Sequence, residues 1–241
     1  MIIDTHCHID LYPNPNLVIK ELEKQNIITI GMTNLPSHFN MGFRHTRNLR
    51  KVRLALGMHP LMALNHSSEF PEFYRSLKLT SYIGEIGLDF SREGIETKEI
   101  QIDSFNKILE AVSKEKKILS IHSRNAEKKV LEMLRKYKIQ NAIFHWYSGG
   151  LKLIDEIVDS GYFFSFNTAM VKSEKGKKII ARVPKEKMLT ETDGPFIKHN
   201  GRIVKSMDLK AVISFLNDIE ETKEMEEQIS QNFMKLVAKI K

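Results

Sequence analysis

Residues 2–8 (IIDTHCH) open the chain with a short apolar run that ends in metal-binding residue types. The length of this run and its β-branched residues are typical of a buried strand. Because side chains alternate along a strand, His6 and His8 point to one side and Cys7 points to the other. The stretch therefore predicts a strand whose far end presents two imidazoles to one cation, with Cys7 packed in the wall.

The same pattern continues along the chain. Seven further runs of strand character lie at residues 27–32, 52–56, 82–86, 118–121, 142–144, 162–166 and 188–189. Amphipathic stretches separate them, and one apolar helical face is formed by Ile102, Phe105, Leu109 and Val112. Strand–helix alternation indicates an α/β fold with a parallel sheet. Eight such units predict a (β/α)8 TIM barrel, which needs roughly 250 residues.

An open doubly wound sheet is the alternative fold. No glycine-rich phosphate loop follows the first run, and this disfavours the alternative. The chain has 241 residues, of which 41% are hydrophobic, so a disordered chain is excluded. The sequence shows no linker, and we expect residues 1–241 to form a single barrel domain.

Composition also limits the partners and the compartment. A single cysteine cannot form an internal disulfide or a zinc site built from several thiolates. The sequence offers no apolar stretch of the roughly 20 residues that a membrane span needs, and no export signal at its start. We therefore expect a cytoplasmic protein without membrane contact. The formal net charge of +7 mildly favours an anionic partner such as nucleic acid.

Further metal-binding residue types end the later predicted strands, namely His59, Glu85, His122, His145 and Asp193. In a barrel the carboxyl ends of all strands meet at one mouth. Buried imidazoles and carboxylates are costly without partners, so their convergence predicts a cation. A donor set without thiolate suits zinc, manganese or magnesium. Without His59, four histidines (His6, His8, His122 and His145) and two carboxylates exceed the three protein ligands of a typical catalytic zinc, which favours two divalent ions.

Ordered motifs connect these residues to a family. They lie at residues 4–10 (DTHCHID), 57–60 (GMHP), 84–89 (GEIGLD), 121–124 (IHSR), 145–149 (HWYSG) and 191–195 (ETDGP). Together they resemble the TatD family of metal-dependent deoxyribonucleases, which are amidohydrolase-like barrels. The resemblance implies that DNA is the substrate and that a water between two metals is the nucleophile.

The resemblance also implies a role for each candidate ligand. The first metal would be held by His6, His8 and Asp193, and the second by His122 and His145. Glu85 would bridge the two ions. Asp193 would in addition accept the proton of the attacking water, which makes Asp193 and Glu85 the catalytic candidates.

Within this family, residues 10–15 (DLYPNP) and 190–196 (TETDGPF) are most similar to the QatD group, the TatD-like components of Qat anti-phage defence systems. That similarity implies antiviral defence as the setting and other proteins of a defence system as partners. Three departures from the family pattern concern substrate contacts: Leu61 follows Pro60 in place of a histidine, Trp146 and Tyr147 replace Cys-Phe, and an Asn-x-Pro segment is missing after Gly201-Arg202.

Four residues are candidate substrate contacts. His59 would meet the phosphate, Arg124 would pair with a phosphate in bidentate fashion, and Trp146 would stack on a base. Arg202 would contact the substrate from the loop after the eighth strand. The alternatives are a structural role for His59, a salt bridge for Arg124 and a packed loop position for Trp146.

Other residues receive simpler interpretations. Residues 148–150 (SGG) either offer backbone N–H groups to an anion at a helix start or form a simple turn and cap. The lysine-rich runs 114–117 and 175–178 are interpreted as solvated helix ends. The remaining histidines are interpreted as surface residues: His38, His45, His66 and His199.

Three functions remain open at this point. The leading hypothesis is a metal-dependent nuclease that hydrolyses DNA phosphodiester bonds. A second is a hydrolase that acts on a small ester or amide, because one fold and one metal pair host many chemistries. A third is a subunit of a defence complex in which the metals are only structural.

Overall fold

The protein is described by a computed structural model over residues 1–25, 27–199 and 201–240. Within these ranges the main strands are β1 Ile2–Cys7, β2 Ile27–Gly31, β3 Val52–Leu54, β4 Tyr82–Gly87, β5 Ile118–His122, β6 Ala142–His145, β7 Phe163–Phe166 and β8 Met188–Thr190. A short antiparallel pair follows them, β9 Lys198–His199 and β10 Arg202–Ile203.

Helices connect the strands. The α-helices are α1 Pro15–Lys24, α2 Pro36–Thr46, α3 His66–Ser76, α4 Lys98–Val112, α5 Glu127–Lys136, α6 Leu151–Asp159, α7 Thr168–Lys172, α8 Glu174–Ile180, α9 Leu209–Ile219 and α10 Met225–Ala238. Single 3-10 turns lie at Ile9–Leu11, Pro60–Asn65, Leu77–Leu79, Ile95–Thr97, Lys185–Lys187 and Ser206–Asp208.

The eight main strands close into a barrel. Parallel pairing runs from β1 to β3 and again from β4 to β8. The first seam, between β3 and β4, is joined where the Leu56 N–H donates to the Tyr82 carbonyl at 2.9 Å. The second seam, between β8 and β1, is joined where the Thr5 hydroxyl donates to the Thr190 carbonyl at 3.0 Å. The predicted (β/α)8 barrel is confirmed, and the open sheet is rejected.

All eight predicted strands are present, and several run further than the apolar residues alone indicated. Parallel pairing carries β5 to His122, opposite Gly87, and carries β6 to His145, opposite Ser165. Polar residues can occupy these positions because the ladder hydrogen bonds are independent of side-chain type. The consequence is that the histidines belong to rigid strand ends.

Helices cover the outside of the barrel with their predicted apolar faces. On α4 the side chains of Phe105, Leu109 and Val112 are buried, and Ile102 packs against the same core. The C-terminal helix α10 packs where β8 begins, and the Asn232 amide donates to two backbone carbonyls there. Apolar packing therefore closes this end of the barrel and leaves the opposite mouth for polar residues.

Two surface interpretations were wrong. His66 is buried because it shares the inner face of α3 with Phe70 and Phe73, at helical spacing. Lys117 is also buried, and its ammonium donates to the carbonyls of Leu77 and Thr80 at 2.8 Å each. Such a long side chain can bury its stem and still find acceptors for its charge.

Across the described ranges, no helix has the length and apolar content to cross a membrane. The prediction that residues 1–241 make up one domain stays a prediction.

Candidate metal centre

The carboxylate of Glu85 lies between two pairs of imidazoles at the barrel mouth. Its Oε2 is 3.4 Å from His6 Nε2 and 3.1 Å from His8 Nε2. Its Oε1 is 2.6 Å from His122 Nδ1 and 2.8 Å from His145 Nε2. One carboxylate thus presents a different oxygen to each histidine pair, which is the arrangement that a bridging ligand requires.

The first cluster consists of His6, His8 and Asp193, all of them buried. The two Nε2 atoms are 3.2 Å apart, and Asp193 Oδ1 lies 3.6 Å from His6 Nε2 and 3.8 Å from His8 Nε2. Zinc binds nitrogen and oxygen ligands at about 2.0–2.2 Å, which puts neighbouring tetrahedral donors about 3.4 Å apart. The spacing of these three donors therefore fits one small divalent ion, with Glu85 Oε2 as a further donor.

The second cluster consists of His122 and His145, which both face Glu85 Oε1. Their rings are 5.6 Å apart between centroids, and His122 is partly open to solvent. The groups of donor atoms close enough to hold one ion place His145 with His6 and Glu85, and His122 with His59 and Glu85. The partial exposure of His122 leaves this side of the centre accessible to solvent, which is typical of catalytic rather than structural metal sites.

His59 lies closer to the centre than the sequence analysis placed it. Its Nε2 is 3.3 Å from Glu85 Oε2, and its ring is 5.2 Å from that of His122. His59, Glu85 and His122 form another group whose donor atoms could hold an ion. His66 supports it from behind, with an Nε2 contact of 3.0 Å to the His59 carbonyl. The imidazole of His59 therefore reaches the centre from the loop that follows β3.

Several candidate ligands have a second partner for the ring nitrogen that faces away from the centre. His6 Nδ1 is 2.8 Å from Ser120 Oγ, and His122 Nε2 is 2.8 Å from Asp89 Oδ2. Partners of this kind fix the tautomer and the orientation of a metal-binding imidazole. Asp89 was not among the predicted site residues, although it ends the motif of residues 84–89.

Glu191 is the other site residue that the sequence analysis missed. Its carboxylate is fully buried and accepts hydrogen bonds from Ser165, Asn167 and the Trp146 backbone. Its Oε2 lies 3.8 Å from His145 Nδ1. This distance is too long for a hydrogen bond, and His145 Nδ1 has no hydrogen-bond partner among the described residues, so Glu191 acts on His145 through its charge. The available signal was its place two residues before Asp193 in the motif of residues 191–195.

A hydrogen-bonded network ties the loop that carries Asp193 to β1. The buried Asp4 carboxylate accepts from Thr192 Oγ1 at 2.8 Å and from Ser206 Oγ at 2.6 Å. The Asp193 N–H donates to the His6 carbonyl at 2.9 Å. Asp193 itself has a φ of 46°, a left-handed conformation that costs a residue with a Cβ about 1–3 kcal/mol. The hydrogen bonds of this network offset the cost and keep the Asp193 carboxylate in place.

Burial dominates the electrostatics of the first cluster. Burial raises the pKa of Asp193 well above its usual value, and burial together with the charge of His145 lowers the pKa of His6 well below its own. A divalent cation would oppose the first effect and exploit the second, because it binds ionised carboxylates and neutral imidazoles. The donor set therefore fits a metal.

The second cluster has the opposite balance. Burial alone would lower the pKa of His122 and of His145, but their carboxylate partners raise both. For His122 these partners are Asp89 and Glu85, and for His145 they are Glu85 and Glu191. Burial raises the pKa of Glu85, but the surrounding imidazoles lower it by more, so the pKa of Glu85 lies well below its usual value.

The other predicted substrate residues have partners of their own. Arg124 is exposed and donates to Glu93 at 2.9 Å, so the alternative of a salt bridge is realised. Trp146 is half-buried and packs against the core, with a φ of 35°. Arg202 is exposed and donates to both carboxylate oxygens of Asp208.

Phe196 is an exposed aromatic residue that the sequence analysis did not select. Its side chain is 59% exposed and its ring lies 5.1 Å from that of His8, edge to face.

Residues 148–150 precede α6, where Gly150 is the N-cap, and the Ser148 carbonyl accepts from Lys175. Cys7 is buried and free, with its sulfur 3.9 Å from the Tyr12 hydroxyl. Its predicted place in the barrel wall is confirmed.

A barrel mouth with convergent imidazoles and buried carboxylates defines a metal-dependent hydrolase. A family model described as TatD related DNase matches residues 3–238. An uncharacterized metal-dependent hydrolase of Methanocaldococcus jannaschii is 30% identical over 236 residues, covering 93% of this chain and 90% of the relative. Deoxyribonuclease TATDN3 of Homo sapiens is 24% identical over 218 residues, covering 80% and 78%. The chain therefore belongs to the family of TatD-related DNases.

Solved structures agree on the fold. The chain superimposes on YjjV, a TatD homolog from Escherichia coli K12, with a TM-score of 0.83 at 22% identity, covering 99% of this chain and 97% of the other. A TatD family hydrolase from Entamoeba histolytica gives a TM-score of 0.81 at 16% identity, with coverage of 98% and 97%.

Proposed function

We propose that the protein is a nuclease that hydrolyses DNA phosphodiester bonds with two divalent ions, magnesium, manganese or zinc. The observation that carries the proposal is the position of Glu85, whose two oxygens face two different histidine pairs. The ions, when bound, would activate a water and neutralise the charge of the phosphate.

The residues of the chain would divide the work as follows. His6, His8 and Asp193 would hold the first ion, His122 and His145 would hold the second, and Glu85 would contribute to both sites. Asp193 would accept the proton of the attacking water, because its ionised carboxylate borders the first site. His59 donates to a phosphate oxygen beside Glu85.

The contacts of the other predicted substrate residues are part of the proposal. Arg124 and Arg202 each have an acidic partner that a phosphate would replace. The half-buried Trp146 presents its exposed edge to a base. In this proposal the single barrel of residues 1–241 acts in the cytoplasm.

The test is a cleavage assay with Mg²⁺, Mn²⁺ or Zn²⁺ on single-stranded and duplex DNA, run beside a panel of small esters and amides. We expect DNA cleavage that His122→Ala abolishes. His45→Ala is the matched control, because His45 is exposed on α2. Hydrolysis of an ester or amide without cleavage of DNA would contradict the proposal and favour the small-substrate hydrolase.

We also propose that this nuclease serves antiviral defence together with other proteins of a defence system. The support is the similarity of residues 10–15 and 190–196 to the QatD group. The test is phage plating on cells that carry the system with wild-type protein or with Glu85→Ala. Loss of protection with normal protein level is expected, and full protection by the variant would favour a structural subunit.

A further inference from the structure

A cavity of about 440 Å³ opens between α7, the β9–β10 hairpin and α9, which are elements that follow β7 and β8. Its volume lies in the range of small-molecule sites. Thr168 lines it and directly follows Asn167, whose amide donates to Glu191 at 2.8 Å. The loops after the seventh and eighth strands are where TIM barrels frequently bind phosphate.

The rim of this cavity is cationic. Lys172, Arg202 and Lys210 line it, and His199 adds an imidazole that contacts the Lys172 ammonium. The acidic lining residue, Asp208, is already bound by Arg202 through both oxygens. The charges of Lys172 and Lys210 are therefore available to an anion.

The floor of the cavity is apolar. Val204 and Val212 are fully buried beneath it, and the exposed side chain of Met207 stands at its side. A phosphate alone makes no favourable contact with an apolar surface, whereas the flat face of a nucleic-acid base does. Apolar lining beneath a cationic rim is complementary to a nucleotide, with its base on the floor and its phosphate at the lysines.

The cavity is connected to the metal centre through one short segment. That segment runs from Asp193 to His199 and carries the exposed ring of Phe196, which contacts His8. The segment therefore offers one aromatic contact beside the metal centre, at Phe196, and one residue in the cavity lining, His199. Aromatic side chains at such positions stack on successive bases.

We propose that the cavity is a nucleotide subsite, which binds one nucleotide of the DNA strand away from the scissile bond. The inference rests on the proposed nuclease function. It assigns Phe196 to stacking, Met207 to the base, and Lys172 with Lys210 to the phosphate. Binding of one base and its sugar–phosphate in the cavity, away from the scissile bond, would make the enzyme prefer DNA strands over small phosphodiesters.

Two measurements test the subsite. The first is fluorescence anisotropy with a labelled single-stranded oligonucleotide, for wild type, K172A/K210A and the matched control K128A/K129A, whose lysines are exposed on α5. K172A/K210A should bind about tenfold more weakly and lower the salt dependence by about one counterion per lysine, and the control should bind like wild type. Hydrolysis of bis(p-nitrophenyl) phosphate should be equal in all three.

The second measurement is NMR with methyl-labelled methionine, with the signal of Met207 assigned through Met207→Leu. Thymidine 5′-monophosphate should shift this signal, and thymidine or inorganic phosphate alone should shift it less. Equal effects of phosphate and nucleotide would overturn the role of the base, and no shift with any of the three would overturn the subsite.

The two proposals fail separately. DNA cleavage combined with wild-type binding by K172A/K210A would overturn the subsite and leave the nuclease function standing. Weaker binding by K172A/K210A without any DNA cleavage by the wild-type protein would overturn the nuclease function and leave the cavity as a nucleotide-binding site of a protein that does not cleave DNA. Absence of oligonucleotide binding by the wild-type protein would overturn the subsite.

Discussion

The two sides of Glu85 are built differently. On the side of β1 and β8, His6 and His8 are joined by a carboxylate of their own, Asp193, in a fully buried cluster. On the side of β5 and β6, His122 and His145 share only Glu85 Oε1 directly.

The groups that contact the outer side of the imidazoles show the opposite distribution of negative charge. The first cluster is supported by a neutral hydroxyl on His6, whereas the second has carboxylates behind both imidazoles, Asp89 and Glu191. A carboxylate behind an imidazole raises its basicity as a ligand. The difference indicates two ways to supply negative charge to a cation: directly in the first cluster, and through the imidazoles in the second.

Removing the shared ligand should have the largest effect. Glu85→Gln takes one charge from both clusters, and we expect loss of both ions and a fall in nuclease activity of at least about 10³-fold. Metal analysis and cleavage rates on one preparation measure this. Glu132→Gln is the control, because it changes an exposed carboxylate on α5. An active Glu85→Gln enzyme would contradict the central role of this residue.

Damage to the first cluster alone should separate the two sides. Asp193→Asn removes the direct carboxylate and the proton acceptor, so we expect kcat to fall about 10²–10⁴-fold. The second ion should stay bound, which mass spectrometry of the metal content can show. Loss of both ions from this variant would mean that the carboxylates around the second cluster cannot hold the second ion without Asp193.

A milder change should affect only the second cluster. Glu191→Gln keeps the shape but removes the charge behind His145, and we expect affinity for the second ion to weaken about 10–100-fold. Excess metal should restore activity, which a general loss of structure would not allow. Metal titrations of activity measure this, and unchanged affinity at the second site would show that the 3.8 Å contact to His145 carries no coupling.

The smallest effect on the metal centre concerns His66, which lies outside both clusters and supports His59. Burial lowers the pKa of His66 to about 4. The unfolded chain binds a proton near pH 6.5 and the folded chain does not, so stability falls as pH falls from about 6.5 towards 4. His66→Gln should remove up to about 3 kcal/mol of that loss.

Urea unfolding at several pH values measures this contribution. The variant can keep the donor to the His59 carbonyl, so its stability near neutral pH should change little. His45→Gln, an exposed substitution, is the control. An unchanged pH dependence in His66→Gln would contradict the role given to His66.

The sequence predicted the barrel and the meeting of the six candidate ligands, since strand periodicity and the rule that strand ends share one mouth are local or topological facts. It did not predict Glu191, Asp89 or the burial of His66. The burial of His66 follows from its helical spacing with Phe70 and Phe73, a pattern that is present in the sequence. The contacts of Glu191 and Asp89 depend on which neighbour a side chain meets across the fold, such as Asn167 on Glu191 or His122 on Asp89. Residues that are far apart in the sequence make these contacts, so a periodic pattern within one strand or helix does not reveal them.

The central claim is that Glu85 bridges two ions that together cleave DNA. The most direct measurement is electron paramagnetic resonance of the protein loaded with Mn²⁺, on the same preparation that is assayed for DNA cleavage. We predict two manganese ions per chain with a magnetically coupled spectrum, an active enzyme, and loss of coupling in Glu85→Gln. A fully active enzyme with one manganese ion per chain, or with uncoupled ions, would contradict the account.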